Sequence, residues 1–121
     1  MNFDDVRAIA LAYPGVTDSM TYGTPSLKVS GKFVLREREP GILALQRPSI
    51  DERDMLIEAD PDLFFITDHY RDYPYVLVRL ARLTPAHFKA LFETIWREKA
   101  LKKHIAAWMK ASDAKNPPES A

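Results

Sequence analysis

The segment at residues 69–74, reading HYRDYP, concentrates side chains that could bind a ligand. Tyr70 and Tyr73 offer flat rings for stacking, and the guanidinium of Arg71 is a planar donor fork suited to phosphate or carboxylate. Runs rich in β-branched and aromatic residues flank the segment, and a loop held between two strands presents its groups in a fixed arrangement. The segment therefore predicts a contact surface, although it contains no motif that specifies a reaction.

Two other interpretations of this segment stay open. In the first, the tyrosines pack beneath the loop, Arg71 pairs with Asp68 or Asp72, and Pro74 sets the start of the next strand. In the second, Asp68, His69 and Asp72 converge on a catalytic centre or a divalent ion, because carboxylate and imidazole are metal ligands. No second group of ligands at a recognisable spacing supports that arrangement, so we predict no metal site.

Signatures of catalysis are missing elsewhere in the sequence. There is no GxSxG, no P-loop and no GxGxxG, and the four glycines are isolated. The absence of cysteine excludes thiol catalysis, thiolate metal sites and disulfides. We therefore expect a non-enzymatic protein with no catalytic residues and no cofactor.

The length and composition fit one domain. A chain of 121 residues, 46% of them hydrophobic, can build one core, so we place the domain at residues 1–111 and a frayed tail at 112–121. The first residues carry Asp4, Asp5 and Arg7 where a signal peptide or a membrane span would need an apolar stretch. We expect a cytoplasmic protein with no membrane partner, and a monomer is favoured.

The net charge is zero, but the charges are unevenly distributed. Residues 1–70 carry seven basic and 12 acidic side chains, whereas residues 71–121 carry ten basic and five acidic ones. Such asymmetry marks either a polyanion-binding end or solvated helices. The densest basic cluster, which either docks on phosphate or lies at a helix end, is Lys99, Lys102, Lys103 and His104.

Capping residues and helical periodicity predict three helices. Asn2 is the candidate N-cap of a helix at residues 3–13, and Ser49 or Asp51 caps a short second helix. Thr84 followed by Pro85 begins the last one, whose apolar stripe shifts after Ile95. We predict a break or a change of packing partner at residues 99–101.

Between the first two helices the apolar period changes to two. Turn residues divide residues 20–47 into an antiparallel meander, and further strands are predicted at residues 63–66 and 75–80. The fold class is therefore α+β, with an antiparallel sheet of about five strands and helices packed on one face.

Alternation assigns the strand residues to two faces of this sheet. The face covered by helices receives Leu27, Val29, Phe33, Leu35, Leu43, Leu45, Val76, Val78 and Leu80. The open face receives Lys28, Lys32, Val34, Arg36, Arg38, Ala44, Gln46, Tyr75, Leu77 and Arg79. Cations beside aromatic rings can neutralise phosphates while unpaired bases stack, although lysine and arginine are also ordinary residues on a solvated face.

The chain resembles the MmcQ/YjbR family of small bacterial proteins, whose fold is similar to that of the frataxin homologue CyaY. The resemblance covers residues 6–108 and rests on the segments ALAYPGV, YGTPSLKVSGKFV, EADPDLFF and HYRDYPYVLVRL. Asp72 stands where the family more often has glycine, and Tyr75 where tryptophan is frequent. The resemblance implies one α+β domain in a double-wing arrangement and a DNA-binding role. It also suggests iron, which we discount because the first helix offers only Asp4 and Asp5 as an acidic ridge.

The working hypothesis is weak, salt-sensitive DNA binding through the open sheet face and the loop at residues 69–73. Its candidate residues are Tyr22, Lys28, Lys32, Arg36, His69, Tyr70, Arg71, Tyr73, Arg79, Lys102 and Lys103. A protein-interaction module is the first alternative, and an exposed Trp96 or Trp108 would favour it. A small-molecule binding protein is the second, and a pocket with His69 and Tyr22 on its wall would favour that.

Overall fold

A six-stranded antiparallel sheet with four α-helices on one side forms the protein in the computed structural model, which describes residues 1–115. The helices are α1 (Phe3–Leu11), α2 (Ile50–Ala59), α3 (Pro85–Lys99) and α4 (Lys102–Lys115). The strands are β1 (Val16–Thr21), β2 (Thr24–Val29), β3 (Lys32–Glu39), β4 (Ile42–Gln46), β5 (Phe64–Phe65) and β6 (Tyr75–Arg79). The predicted α+β class is confirmed.

The strands follow the order β1-β2-β3-β4-β6-β5, and every neighbouring pair is antiparallel. The sheet has six strands where about five were predicted, and β1 is the least evident of them because its sequence VTDSMT carries little apolar alternation. Its backbone pairs with β2, and Asp18 accepts two hydrogen bonds of 2.7 Å from Arg7 of α1. β1 is therefore a strand because it pairs with its neighbour β2, and its own residue pattern does not predict it.

The predicted helix starts are confirmed. The Asn2 side chain accepts a hydrogen bond from the Asp5 amide, and the Asn2 amide donates one to the Asp5 carboxylate. The Ser49 hydroxyl accepts from the Glu52 amide, and the Thr84 hydroxyl accepts from the His87 amide. The helix ends differ slightly from expectation. Helix α1 stops two residues before the predicted end at residue 13, because the chain turns there toward Pro14.

The predicted break at residues 99–101 is also confirmed, since α3 ends at Lys99 and α4 begins at Lys102. Helix α4 continues to Lys115, beyond the predicted start of a frayed tail at Ser112; residues 116–121 of that predicted tail lie outside the described residues. No helix in the described part of the chain has the length and apolar character needed to cross a membrane.

The main core lies between the sheet and the helices. Helix α3 fills its centre with side chains that are at most 6% exposed, namely Phe88, Leu91, Phe92, Ile95 and Trp96. Helix α4 packs through Ile105 and Trp108 against this cluster, and α2 through Leu56 and Ile57. We call this side of the sheet the helix side and the opposite one the outer face.

A β-bulge in β3 overturns part of the predicted face assignment. Leu27 pairs with Leu35 but Lys28 pairs with Phe33, so Val34 is an extra residue between the two pairs. Both Val34 and Leu35 are buried in the main core, whereas Phe33 turns to the outer face. The prediction was wrong for Phe33 and Val34, because strict alternation assumes that no residue is inserted.

Lys32 was also misassigned. It pairs directly with Val29, whose side chain lies in the main core, so Lys32 projects to the helix side. The same bulge that moves Phe33 outward therefore removes one lysine from the outer face. The remaining predicted members keep their places, with Arg36 opposite Ala44 and Leu77 beyond it.

Candidate functional site

The loop at residues 66–74 folds across the outer face. Its tyrosine Tyr70 is 7% exposed and packs on Ala44 and Leu77, with Ile42, Phe65, Ile66 and Tyr75 around them. This small second core contains residues that alternation had left in the open. The prediction of tyrosines packed beneath the loop is thus confirmed for Tyr70, whereas Tyr73 is 56% exposed.

Arg53 of α2 fixes the backbone of this loop. Its Nη1 donates hydrogen bonds of 2.8 Å to the carbonyl oxygens of Tyr70 and Tyr73, and one of 3.3 Å to that of Arg71. The guanidinium is 3% exposed and also pairs with Asp54 at 2.9 Å. Three carbonyls on one cation hold the loop in a single shape.

Arg53 was not among the residues predicted for this site. Its partners follow it by 17 to 20 residues, and no local spacing connects a helix residue with distant carbonyl oxygens. The one available signal was a basic residue inside the acidic stretch DERDMLIEAD. Arg47 is a second buried arginine that was missed; it binds Glu52 and the carbonyl of Leu91, which ties α2 to α3.

The remaining side chains of the loop stay at the surface. Arg71 pairs with Asp68 at 2.7 Å, as one of the predicted alternatives has it, and both side chains are largely exposed. The ring of His69 meets the edge of the Tyr70 ring at 4.8 Å between centroids. Because an exposed ion pair contributes little, Arg71 keeps its guanidinium accessible to a ligand.

Between this loop and the β1–β2 turn lies an aromatic cleft. Its inner chamber has a volume of about 300 Å³ and is lined by Thr21, Tyr22, Phe33, Arg36, Ala44, His69, Tyr70 and Tyr75. An adjoining chamber of about 290 Å³ is lined by Tyr22, His69, Tyr70, Tyr73 and Tyr75. No carboxylate lines either chamber. Tyr22 and His69, expected on the wall of any small-molecule pocket, both lie on this one.

The chemistry of the walls is that of a flat, hydrogen-bonding surface. The rings of Phe33 and Tyr75 are 6.1 Å apart, and Tyr75 lies at the same distance from Tyr70. Burial, with a contribution from Tyr70, raises the pKa of Tyr75 above its ordinary value. The Tyr75 hydroxyl therefore keeps its proton to a higher pH than an ordinary tyrosine does.

Three arginines of the outer face rest on aromatic rings instead of carboxylates. The guanidinium carbons lie 5.4 Å (Arg36 to Tyr22), 5.6 Å (Arg38 to Tyr70) and 4.1 Å (Arg79 to Phe65) from the ring centroids. None of the three has a carboxylate oxygen within 4.0 Å among the residues that the structure describes. The arginines that do pair with a carboxylate are Arg7, Arg47, Arg53, Arg71 and Arg97.

Some predicted site residues are not brought to this cleft. Lys28 lies on the outer face opposite Phe33, but Lys32 projects to the helix side. Lys102 and Lys103 begin α4, which packs on the far side of the sheet, so they do not lie on the surface that carries the loop, and their part in nucleic-acid binding stays a prediction. Within the described part of the chain, no three imidazole or carboxylate side chains are grouped to hold a metal ion.

Comparisons with protein-family models, with curated proteins and with solved structures give no match. The resemblance to MmcQ/YjbR proteins, the double-wing arrangement and the DNA-binding role that it implies therefore stay predictions.

Proposed function

We propose that the protein binds unpaired nucleic acid on its outer face. The bases stack in the aromatic cleft, and the phosphates lie along Arg36, Arg38 and Arg79. The observation that carries this proposal is the row of three arginines, each without a carboxylate partner among the described residues and each against an aromatic ring, beside a cleft without carboxylates.

The arrangement of these arginines suits the phosphates of an extended nucleic-acid strand better than a single small anion. Arg36 and Arg38 are two residues apart on β3, and a second bulge between Glu37 and Glu39 leaves Arg38 without a direct partner on β4. Arg79 faces Ile42 across the β4–β6 pair, and Glu39 faces the same Ile42 from β3, so the row reaches toward the far edge of the sheet past one carboxylate. Together they form a cationic track that leaves the cleft at Arg36, which fits an extended phosphate backbone.

A concave aromatic cleft favours unpaired bases over a duplex. In a double helix the faces of the bases are stacked on one another, so that a ring in a pocket can reach a base only after it has been unstacked. Tyr22 and Tyr73, at 89% and 56% exposure, offer their rings without prior rearrangement. Single strands should therefore bind more tightly than duplexes of the same sequence.

The alternative of a protein-interaction module finds no support from the tryptophans. Trp96 is fully buried and donates to the Pro14 carbonyl at 2.9 Å. Trp108 stacks on Tyr13 at 4.1 Å and donates to Glu93, so neither ring forms an exposed apolar patch. The alternative of a small-molecule binding protein is favoured by the cleft itself, and we keep it as the second candidate function.

The resemblance to MmcQ/YjbR proteins, with the DNA-binding role that it implies, agrees with this proposal. Of the candidate residues that matched the family segments, Tyr22, His69, Tyr70 and Tyr73 line the cleft. Lys28 lies on the same face of the sheet. The agreement supports the proposal, and binding experiments must test it.

The decisive experiment measures fluorescence anisotropy of labelled oligothymidylate and of a duplex across a salt series. With about three phosphates neutralised on a single strand, the affinity should fall about twentyfold between about 50 and 200 mM salt. The variant Arg36→Gln/Arg38→Gln/Arg79→Gln should lose single-strand binding. The control Lys102→Gln/Lys103→Gln/Lys110→Gln changes the net charge equally on α4, and it should bind like the natural chain.

Two results would contradict the proposal. If the natural chain binds no single strand even at low salt, the outer face is not a nucleic-acid surface. If both triple variants lose binding equally, the interaction depends on net charge alone and the cleft has no part in it.

A further inference from the structure

We infer that the inner chamber of the cleft binds one nucleobase and that Arg36 takes the phosphate attached to it. The ligand unit is thus a single nucleotide, either free or as one unpaired residue of a strand. This inference rests on the proposed function and specifies its site. Four features of the cleft carry it, namely its size, its charge, the backbone of Tyr22 and the rigidity of the loop.

The size of the chamber limits its occupant to one flat group. Its volume of about 300 Å³ is at the lower end of the range of ligand pockets, about 300–1,000 Å³. Ala44 contributes only a methyl group to the lining and is 1% exposed, and the rings of Phe33 and Tyr75 stand beside it. A larger residue in place of Ala44 would crowd Tyr70 and narrow this space.

The charge of the lining selects an anion at the mouth. Arg36 is the one permanently charged residue of the inner chamber. Its Nη1 donates to Thr24 Oγ1 at 3.1 Å and its guanidinium carbon lies 5.4 Å from the Tyr22 ring centroid, so the group is held in place with donors left for a phosphate. A lining with one cation and no carboxylate favours an anionic ligand, and the aromatic rings beside it favour a flat one.

The backbone of Tyr22 points independently to a ligand. Tyr22 and Gly23 form the two-residue β1–β2 turn with φ of 53° and 74°, a geometry in which asparagine or glycine is preferred at the first position. A bulky ring costs stability there, and at 89% exposure it gains little from packing. The equivalent β2–β3 turn uses the small Ser30 before Gly31. A large ring kept in a strained position at the mouth of a cleft is typical of a residue that contacts a ligand.

The opposite wall is held rigid before any ligand arrives. Arg53 donates to the carbonyls of Tyr70 and Tyr73, and the Tyr70 ring is fixed in the second core. His69 and Tyr73 therefore project from a loop whose backbone does not have to order on binding, which lowers the entropic cost of association.

The test uses isothermal titration with adenosine 5′-monophosphate, adenosine and inorganic phosphate, and competition of each against labelled oligothymidylate. The monophosphate should bind and compete. Adenosine and phosphate, each lacking half of the contacts, should be at least about tenfold weaker. These three probes separate the contribution of the base from that of the phosphate.

Two variants change the cleft and keep all three arginines of the row, and Tyr22→Asn also removes the ring on which Arg36 rests. Ala44→Leu crowds the floor of the inner chamber and Tyr70 above it, so its thermal midpoint is measured beside its binding, and the control Ala90→Leu adds the same group on the exposed surface of α3. Tyr22→Asn removes the ring and should raise the thermal midpoint, because asparagine accepts the turn geometry. Both cleft variants should weaken the monophosphate and the oligonucleotide about tenfold or more, whereas Ala90→Leu should not. Since Tyr22→Asn is expected to be the more stable protein, its loss of binding could not be attributed to unfolding.

The outcomes separate this inference from the proposed function. If oligothymidylate binds and the arginine triple variant abolishes it, but the monophosphate, Ala44→Leu and Tyr22→Asn have no effect, the base site is overturned and nucleic-acid binding stands. If the monophosphate binds and the cleft variants weaken it while oligothymidylate does not bind, the nucleotide site stands and the nucleic-acid function is overturned. If none of the probes binds, both fail.

Discussion

Single residues in this protein carry its clearest departures from local rules. Tyr22 occupies a left-handed backbone position suited to asparagine, and Arg53 is an arginine buried to 3% exposure in a helix. Spacing indicated neither, because alternation and capping describe a residue's chain neighbours only. The sequence placed Tyr70 and Tyr73 together as contact residues, but which ring packs inward depends on Ala44 and Leu77, which are distant in the chain.

Arg53→Met should destabilise the protein and free the loop. The methionine fills part of the space but leaves the carbonyls of Tyr70 and Tyr73 without their donor, which we expect to lower the free energy of unfolding by about 2–3 kcal/mol. Urea denaturation measures this loss, and hydrogen exchange should show faster exchange in the 66–74 loop. The control Arg71→Met removes only an exposed ion pair and should cost under about 1 kcal/mol. Equal losses in the two variants would mean that Arg53 does not anchor the loop.

Gly15 is constrained by a neighbouring side chain as well as by its backbone. It has φ of +80°, and a Cβ atom there would lie 2.8 Å from Nδ1 of His104 and 3.3 Å from Oγ of Ser30. Gly31 has the same φ, but a Cβ atom would meet nothing within 4 Å. We therefore expect Gly15→Ala to destabilise by about 1 kcal/mol or more beyond Gly31→Ala, measured by urea denaturation. If the two substitutions cost the same, His104 yields freely and α4 is not held at this contact.

At the scale of elements, the order of helices and strands followed from the sequence and their exact pairing did not. Caps and turn residues act within a few residues, so the starts of α1, α2 and α3 and the break before α4 were predicted correctly. Strand β1 and the bulge at Val34 depend on how neighbouring strands pair, which no single segment determines. The bulge affects the candidate site, because it places Phe33 in the cleft and Lys32 outside it.

The free energy of unfolding should fall in alkaline solution because of Tyr13, which contacts α3 and α4. Tyr13 donates to Glu93 at 3.1 Å and stacks on Trp108, and burial together with the Glu93 charge raises the pKa of Tyr13 well above its ordinary value of 10.0. Above about pH 10 the unfolded chain releases the Tyr13 proton while the folded one retains it, so the free energy of unfolding falls as pH rises. Below that pH both states stay protonated and this contribution is fully present.

The variant Tyr13→Phe isolates this effect. It lacks the titrating hydroxyl, so its stability should decline less steeply than that of the natural chain above about pH 10, although it starts lower for want of the Glu93 hydrogen bond. Urea denaturation followed by tryptophan fluorescence between about pH 8 and 11 measures both slopes. Parallel curves would show that Tyr13 titrates in the folded protein as it does in the unfolded chain.

On the scale of the whole molecule, the sheet separates a structural side from a side with binding chemistry. Tryptophans, most buried rings and the lysine cluster of α4 lie on the helix side, and the aromatic cleft with its three arginines lies on the outer face. Composition predicted one domain with zero net charge, but it could not show that the basic residues of the two sides are divided by the sheet. That division makes the proposed binding local, so few phosphates are engaged and the affinity should be modest.

Binding on the outer face should stabilise the helix side, because the described elements share one sheet. A ligand that binds only the folded state at about a hundred times its dissociation constant adds about 2.7 kcal/mol. For a domain of this size that corresponds to a rise in the thermal midpoint of about 10 °C.

Trp96 and Trp108 both lie on the helix side, remote from the cleft, so their fluorescence reports the unfolding of the far layer. Thermal unfolding with oligothymidylate at low salt should shift this signal by the full amount in the natural chain and not at all in the Arg36→Gln/Arg38→Gln/Arg79→Gln variant. A shift seen only in tyrosine signals would mean that the outer face unfolds independently of the helices, and an equal shift in the variant would place the ligand elsewhere on the molecule.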